Sequence, residues 1–145
     1  MGDIAKDINS KFSNEWIKAL INIKYTANWL DTIGSEVLKP YQISIQQYNI
    51  LRILRGAEKA ITVNSVKDRM IQKSPNSTRL MDKLCDKGFI ERARCENDRR
   101  VVYVEISDKG LKLLSKINIE EFDSHLKSIT EEEAKILNKI LDKIR

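Results

Sequence analysis

Three polar side chains in the middle of the chain have the types and the spacing needed to touch base edges. Asn76, Arg79 and Lys83 follow one another at steps of three and four residues, so a helix would place them on one face. A guanidinium group can pair with O6 and N7 of guanine and an amide with N6 and N7 of adenine, each pair giving roughly 1–3 kcal/mol of discrimination. The pattern predicts a helix that reads the major groove of duplex DNA, and the alternative is an ordinary solvated face. Small or apolar residues lie on the other face: Ser77, Leu80, Met81 and Leu84.

The start and the end of this helix both have local signals. Ser74 followed by Pro75 predicts a start, because the serine oxygen can accept from the first turn and a proline there loses no needed hydrogen bond. Gly88 predicts the end. Amides at the start can meet a phosphate, and Lys87 is a further candidate phosphate contact. The predicted DNA contacts of the helix are Lys73, Ser74, Asn76, Ser77, Thr78, Arg79 and Lys83.

A short basic hairpin follows. Two runs with strand character, residues 89–94 and 101–106, flank a polar loop that is short enough to enter a minor groove. Narrow A·T-rich minor grooves concentrate negative potential, so Arg99 or Arg100 is the expected probe. Asp98 is expected to form an ion pair or an Asx turn that holds an arginine in register, because bases would repel an anion. The predicted contacts of this wing are Arg94, Asn97, Asp98, Arg99 and Arg100.

The charge of the chain is concentrated in this middle part. The 145 residues have a formal charge of +5, and residues 65–100 alone hold ten Lys/Arg against six Asp/Glu, a sum of +4. A phosphate-rich partner would meet the protein there.

Cys85 and Cys95 are too few for a disulfide framework and lack zinc-site spacing. No stretch approaches 18 uncharged apolar residues and no signal peptide is recognisable, so we expect a cytoplasmic protein without a membrane partner.

Amphipathic segments precede the basic middle. Residues 12–37 carry apolar side chains at helical spacing, and this helix should end before Pro40, since the residue preceding a proline is pushed out of the helical region. Ser44 and Gln47 have the spacing of a capping box for a second helix, which Gly56 is expected to close.

Further helices are predicted on both sides of the hairpin. Thr62 is a candidate cap for a short third helix. After Ser107, apolar residues at helical spacing predict one long helix that reaches Ile129. Thr130 and Glu133 form another capping box, which opens a final helix with an apolar stripe.

The order of these elements predicts a mainly α (α+β) fold. We expect a winged helix-turn-helix with terminal dimerisation helices, about six helices in all and a small β-hairpin wing. A single domain would cover residues 1–145, with the DNA-binding core at 41–107 and dimerisation helices at 1–39 and 108–145. The terminal segments are assigned to a dimer because they present more apolar face than a winged unit of about 65 residues needs to cover.

Three runs of residues resemble one family of regulators. The sequence STRLMDKL from Ser77, KGFIER from Lys87 and NDRRVVYVEIS from Asn97 are similar to the multiple antibiotic resistance regulator (MarR) family of winged-helix proteins. The resemblance covers residues 43–107 motif by motif, and the flanking helices only in order, length and periodicity. It implies that the terminal helices of two chains interlock, that Asp98 and Arg100 serve the wing, and that anionic aromatic compounds relieve repression.

These observations together predict a ligand-responsive homodimeric repressor that binds a near-palindromic operator. Twofold symmetry would place two recognition helices about 34 Å apart, in successive major grooves. Activation in place of repression remains open, and so does an adaptor that binds an acidic protein with its basic middle. An enzyme is not expected, because the chain has no phosphate-cradling glycine loop and no nucleophile elbow.

A few remaining side chains could bind a ligand. Five aromatic side chains could line an effector pocket between the first two helices and the dimer helices. The alternative is that they pack in the core. A redox role for the cysteines is disfavoured, since reactivity needs a lowered pKa. His125 has no partner at ligand spacing and is interpreted as an interhelical or surface residue, so no metal and no cofactor are expected. The candidate pocket residues are Trp16, Tyr25, Trp29, Tyr41 and Tyr48.

Overall fold

The computed structural model describes residues 2–145, which form eight α-helices, two short 3-10 turns and three strands. The 3-10 turns are Lys39–Tyr41 and Leu126–Ser128. The strands are β1 (Ile61–Thr62), β2 (Ile90–Arg94) and β3 (Val102–Ile106). The helices are α1 (Ile4–Asp7), α2 (Glu15–Leu38), α3 (Ile45–Ala57), α4 (Val63–Arg69), α5 (Ser77–Asp86), α6 (Asp108–Lys116), α7 (Ile119–Asp123) and α8 (Glu131–Ile144). The predicted mainly α (α+β) class is confirmed.

Side-chain caps define where most helices begin. Ser44 and Gln47 form both hydrogen bonds of the capping box at the start of α3. The hydroxyl of Thr62 accepts from the Ser65 amide at the start of α4. The predicted end of the first helix is also confirmed, because α2 stops at Leu38, two residues before Pro40. The same hydroxyl-to-amide bond opens α6 and α8, from Ser107 and Thr130.

Three predicted boundaries are wrong. The recognition helix begins at Ser77 and not at Ser74, whose hydroxyl instead accepts from the Asn76 amide inside a turn. The helix that was expected to end at Gly56 runs on to Ala57, and Glu58 in the left-handed region (φ 56°) ends it. The long helix after Ser107 is interrupted at Ile117, whose extended ψ of 121° turns its side chain into the core.

The sheet contains one strand more than the predicted hairpin. Its order is β1-β3-β2, and both pairings are antiparallel. β2 and β3 pair from Ile90 opposite Ile106 to Arg94 opposite Val102, and the short β1 adds Ile61 opposite Val104. β1 leads directly into α4, so the sheet ties the wing to the helix-turn-helix.

The hydrophobic core lies beneath the helix-turn-helix. α3 is its centre, and α4, α5, α6 and the inner face of the sheet pack around it. Gly34 lets α2 approach this body closely, because a Cβ there would lie 2.9 Å from the Phe122 ring and 3.1 Å from Ile45 Cδ1. The most deeply buried side chains are Leu38, Ile50, Leu51, Leu54, Val66, Met81, Leu84 and Val104.

The terminal helices leave large apolar side chains in solvent. Trp16 of α2 is 85% exposed and Ile144 of α8 is 65% exposed. In α8 no residue is buried. No helix within residues 2–145 is long and apolar enough to cross a membrane. The other exposed apolar residues of α2 and α8 are Ile17, Leu20, Ile23, Tyr25, Trp29, Ile136, Leu137 and Ile140.

Candidate nucleic-acid interface

The helix α5 is held by its buried face and by the turn that precedes it. Met81 and Leu84 are completely buried against α3 and β2. Ser77 is 1% exposed, and its hydroxyl donates to the carbonyl oxygen of Ser74 at 2.6 Å. Gln47 of α3 adds a longer bond, from its side-chain amide to the carbonyl oxygen of Leu80 at 3.4 Å. These contacts leave the opposite face of α5 free to meet a partner.

That opposite face is polar, cationic and exposed. Asn76, Thr78, Arg79 and Lys83 all lie in solvent, and Lys73 stands just before them. Within residues 2–145 none of these cations forms a salt bridge. The predicted grouping of Asn76, Arg79 and Lys83 on one face is therefore present in the structure.

Three candidate contacts are engaged in hydrogen bonds within the chain. Ser77 was expected to touch DNA, but its buried hydroxyl is committed to the Ser74 turn, so it shapes the start of α5. Lys87 was expected to meet a phosphate, yet its ammonium group donates to the carbonyl oxygen of Gln42. Ser74 itself is half-buried and organises the turn through the Asn76 amide.

Asp98 forms the Asx turn that orders the wing. Its carboxylate accepts from the Arg100 amide at 3.0 Å, and its carbonyl oxygen accepts from the Val101 amide at 3.0 Å. Of the two roles considered for Asp98, the structure has the turn. Arg94, Asn97, Arg99 and Arg100 are exposed around it.

Arg92 links the wing to α5 and was missed by the sequence analysis. Its guanidinium group forms a salt bridge with Asp82 at 2.5 Å and reaches the Thr78 carbonyl oxygen at 3.5 Å. It also lines a cleft of about 340 Å³ between α4, α5 and the wing, together with Lys67 and Arg100. The sequence does show that Arg92 lies in a strand, on the same face as Arg94. A strand pattern cannot, however, identify a partner on another element.

The five aromatic candidates do not form a common pocket within one chain. Trp16 and Trp29 are thirteen residues apart on α2, about 20 Å along the axis. Tyr48 is buried and stacks on Phe122 at 5.4 Å, which confirms core packing for this residue. The hydroxyl of Tyr41 donates to the Lys116 carbonyl oxygen at 2.9 Å. Within residues 2–145, the cavities of about 340, 220, 120 and 70 Å³ are lined by none of the five.

The remaining candidates are Cys85 and His125, and the contacts of both fit a structural role. Burial raises the pKa of the Cys85 thiol, Arg92 opposes this, and Asp82 and Asp86 add to it, so the thiol stays protonated at neutral pH. His125 packs edge-on against Trp29 at 4.9 Å, as expected for an interhelical residue. No group of three or more His, Cys, Asp or Glu side chains in the described residues could hold a metal ion.

The geometry defines a class of protein. An exposed cationic helix on a buried scaffold, preceded by a short helix and followed by an arginine-bearing hairpin, is a winged helix-turn-helix. Its two candidate contact surfaces, α5 and the wing, are joined by Arg92. This arrangement is typical of transcriptional regulators.

Comparisons with known proteins agree with that class. A model of the "Transcriptional regulator SarA/Rot" family matches residues 32–117. PecS of Dickeya dadantii, an HTH-type transcriptional regulator, is 27% identical and aligns over 79% of this chain and 72% of its own length. Hpr of Bacillus thuringiensis, another such regulator, is 30% identical over 63% of this chain, which spans about half (49%) of Hpr. A cysteine-to-serine mutant of Escherichia coli MarR, solved with operator DNA, has a TM-score of 0.79 and 27% identity over 93% of this chain and 99% of that one.

The chain belongs to the SarA/Rot family of transcriptional regulators, and its fold is the MarR-type winged helix. It is therefore a regulator of transcription and not an enzyme.

Proposed function

We propose that the protein acts as a homodimer on near-palindromic duplex DNA, with α5 in the major groove and the wing in the minor groove. The observation that carries this proposal is the exposed face of Asn76, Thr78, Arg79 and Lys83, whose cations have no salt-bridge partner within residues 2–145. Arg92 holds the wing at a set position beside that face, so both surfaces can meet one duplex. The operator complex of the E. coli MarR mutant supports the same use of the fold.

The dimer is supported by the apolar faces of α2 and α8. Exposed apolar surface on this scale is covered by a partner in soluble proteins, and a second copy is the simplest one. The terminal segments, residues 1–39 and 108–145, would then be the dimerisation helices around a DNA-binding core at 41–107. All of these parts would function as one domain.

The finer role is that of a repressor released by a small aromatic or anionic effector. Within a single chain Tyr25 and Trp29, one helical turn apart on α2, are both partly open to solvent. A second copy seated on α2 would enclose them, so we propose that the effector binds at the dimer interface. Trp16 lies at the N-terminal end of α2, away from this pair in its middle, and Tyr41 and Tyr48 are held in the body of the chain.

The DNA-binding proposal is tested by separating base reading from phosphate binding. Arg79→Ala should lose discrimination at one or two base positions, equivalent to about 1–3 kcal/mol at each. Lys73→Ala should weaken all duplexes alike and lower the salt slope of binding by about one. Both are measured by titration of operator and scrambled duplexes at several salt concentrations. Lys59→Ala removes one exposed positive charge outside the candidate DNA contacts and the dimerisation helices, so it is the control and should bind like the wild type.

Two results would overturn the proposal. One is normal operator binding by both Arg79→Ala and Arg100→Ala. The other is a wild-type protein that retards no genomic fragment at low salt, which would favour an adaptor that binds an acidic protein. Sequencing the genomic fragments that the protein selects would identify the regulated genes.

A further inference from the structure

The segment that leads into α5 is tied to α2 by side chains. The amide nitrogen of Gln72 donates to the Asp31 carboxylate of α2 at 3.2 Å. The carbonyl oxygen of the same side chain accepts from the Gln46 amide of α3 at 3.1 Å. Asn49 of α3 accepts from the neighbouring backbone amide of Ile71 at 3.2 Å. The Asp31–Gln72–Gln46 relay thus joins three elements just before the recognition helix.

The relay has only one consistent direction. A carboxylate can only accept, so Gln72 must present its NH₂ group to Asp31. Its oxygen then faces Gln46, which must in turn donate. Each of the two glutamines therefore has a defined orientation, and a change of one group alters what the next can do.

Two clefts that open to solvent flank the relay. Cavities of about 220 and 70 Å³ lie beside it, and both are lined by Asp31, Ile45, Gln46 and Gln72. A closely packed joint would be held by interdigitated side chains. α2 packs on α3 in this way at Gly34 and Ile45, whereas across the clefts the segment before α5 is joined to α2 by the Asp31–Gln72 hydrogen bond.

We propose that Gln72 is a positioning residue that sets the separation of the two recognition helices in the dimer, and hence the preferred spacing of DNA half-sites. The inference rests on the proposed function, in which α2 of each chain contacts the other. α2 is a continuous helix of 24 residues, so its apolar face and Asp31 move as one body. The Asp31–Gln72 bond carries that position to the segment in front of α5.

An exchange of donor and acceptor tests this role. Gln72→Glu removes the donor to Asp31 and puts two carboxylates together, while Gln46 can still donate to the new group. Asp31→Asn keeps an acceptor at position 31. In the double variant Asp31→Asn/Gln72→Glu, the new amide donates to the new carboxylate, which restores the link with its polarity reversed.

The readout is selection from a library of duplexes in which the spacer between inverted half-sites varies. The wild type should select one spacing. Gln72→Glu should bind that spacing about two- to tenfold more weakly and accept neighbouring spacings, and the double variant should regain the wild-type profile. Asp31→Ala, which removes the acceptor, should broaden the profile in the same way. Gln42→Glu adds the same charge outside the relay and should leave the profile unchanged.

The outcomes separate this inference from the proposed function. A wild type that selects no duplex overturns the proposed function, and the role of Gln72 fails with it. A wild type that selects one spacing, with Gln72→Glu and Asp31→Ala keeping that spacing and affinity, overturns the positioning role alone. Weaker binding with an unchanged spacing profile, or a double variant without recovery, also contradicts it.

Discussion

Gly110 is the residue at which the wing meets the rest of the molecule. It lies in the first turn of α6, where a Cβ would stand 2.3 Å from the Phe89 carbonyl oxygen and 2.7 Å from Ile106 Cγ1. The Phe89 oxygen is already held by the Ser107 amide at 3.0 Å, and the Ser107 hydroxyl donates to Gly88 at 2.6 Å. Backbone atoms thus form the base of β2 and β3, and no side chain can enter without moving them.

We therefore expect Gly110→Ala to destabilise the protein by roughly 1–3 kcal/mol, since the methyl group must displace backbone. Gly56→Ala is the matched control. A Cβ at Gly56 meets nothing within 4 Å, and its position inside α3 should make alanine more stable by about 0.5–1 kcal/mol. Urea denaturation of both variants measures the two signs. If both variants changed the free energy of unfolding equally, the close approach of Gly110 to Phe89 would not determine the effect of Gly110→Ala.

At the scale of the elements, the starts and ends that local chemistry decides could be predicted from the sequence. The capping boxes at Ser44 and Thr130 each need only residues three apart, and both formed as predicted. The predicted helix start at Ser74 is wrong because the Ser74 hydroxyl accepts from the nearby Asn76 amide and so caps a turn. Such competition between a cap and a turn is decided by the packing of Ser77, which the local pattern does not reveal.

Long-range contacts decided the elements that the sequence did not predict. β1 has two residues and gains its place only by pairing with β3, which lies far along the chain. The break at Ile117 occurs because burial of its side chain, 3% exposed, outweighs the local helical pattern. Both effects depend on tertiary packing, which also explains why Arg92 could not be assigned its partners.

The capping box of α8 makes a pH-dependent prediction. Hydrogen bonds from the Thr130 backbone amide and hydroxyl lower the pKa of the Glu133 carboxyl, because they stabilise its charged form. This contribution is complete above the pKa of the unfolded chain, near 4.5, and is lost as pH falls through the lower folded value. Wild type should be more stable than Glu133→Gln near neutral pH, and the difference should shrink as the pH falls below 4.5.

Chemical denaturation at a series of pH values checks this expectation. The two proteins differ only at position 133, so the difference between the two curves reports the Glu133 carboxyl. Glu132→Gln, whose carboxylate contacts Lys135 and not the cap, is the comparison. A difference that stays constant across the pH range would contradict the role of the ionised carboxylate.

At the scale of the whole molecule, the candidate DNA surface and the candidate dimer surface come from different parts of the sequence. The grouping of Asn76, Arg79 and Lys83 was predictable, because one helix determines it. A common pocket for the five aromatic residues was not, since Trp16 and Tyr48 belong to different surroundings that only the fold separates. In the proposed dimer, the second copy would give the two candidate DNA surfaces a fixed distance from each other.

The proposed dimer interface on α8 can be tested by a single substitution. Ile140 is 53% exposed in the apolar stripe of α8, and Ile140→Glu would place an unpaired carboxylate in the proposed dimer interface twice, once from each chain. The dimer dissociation constant should rise at least about a hundredfold, as measured by sedimentation, and operator binding should weaken with it. Asn138→Glu adds the same charge beside the stripe and should leave the dimer intact. If Ile140→Glu remained dimeric at low concentration, α8 would not be the interface, and the spacing of the two recognition helices would have to come from α2 alone.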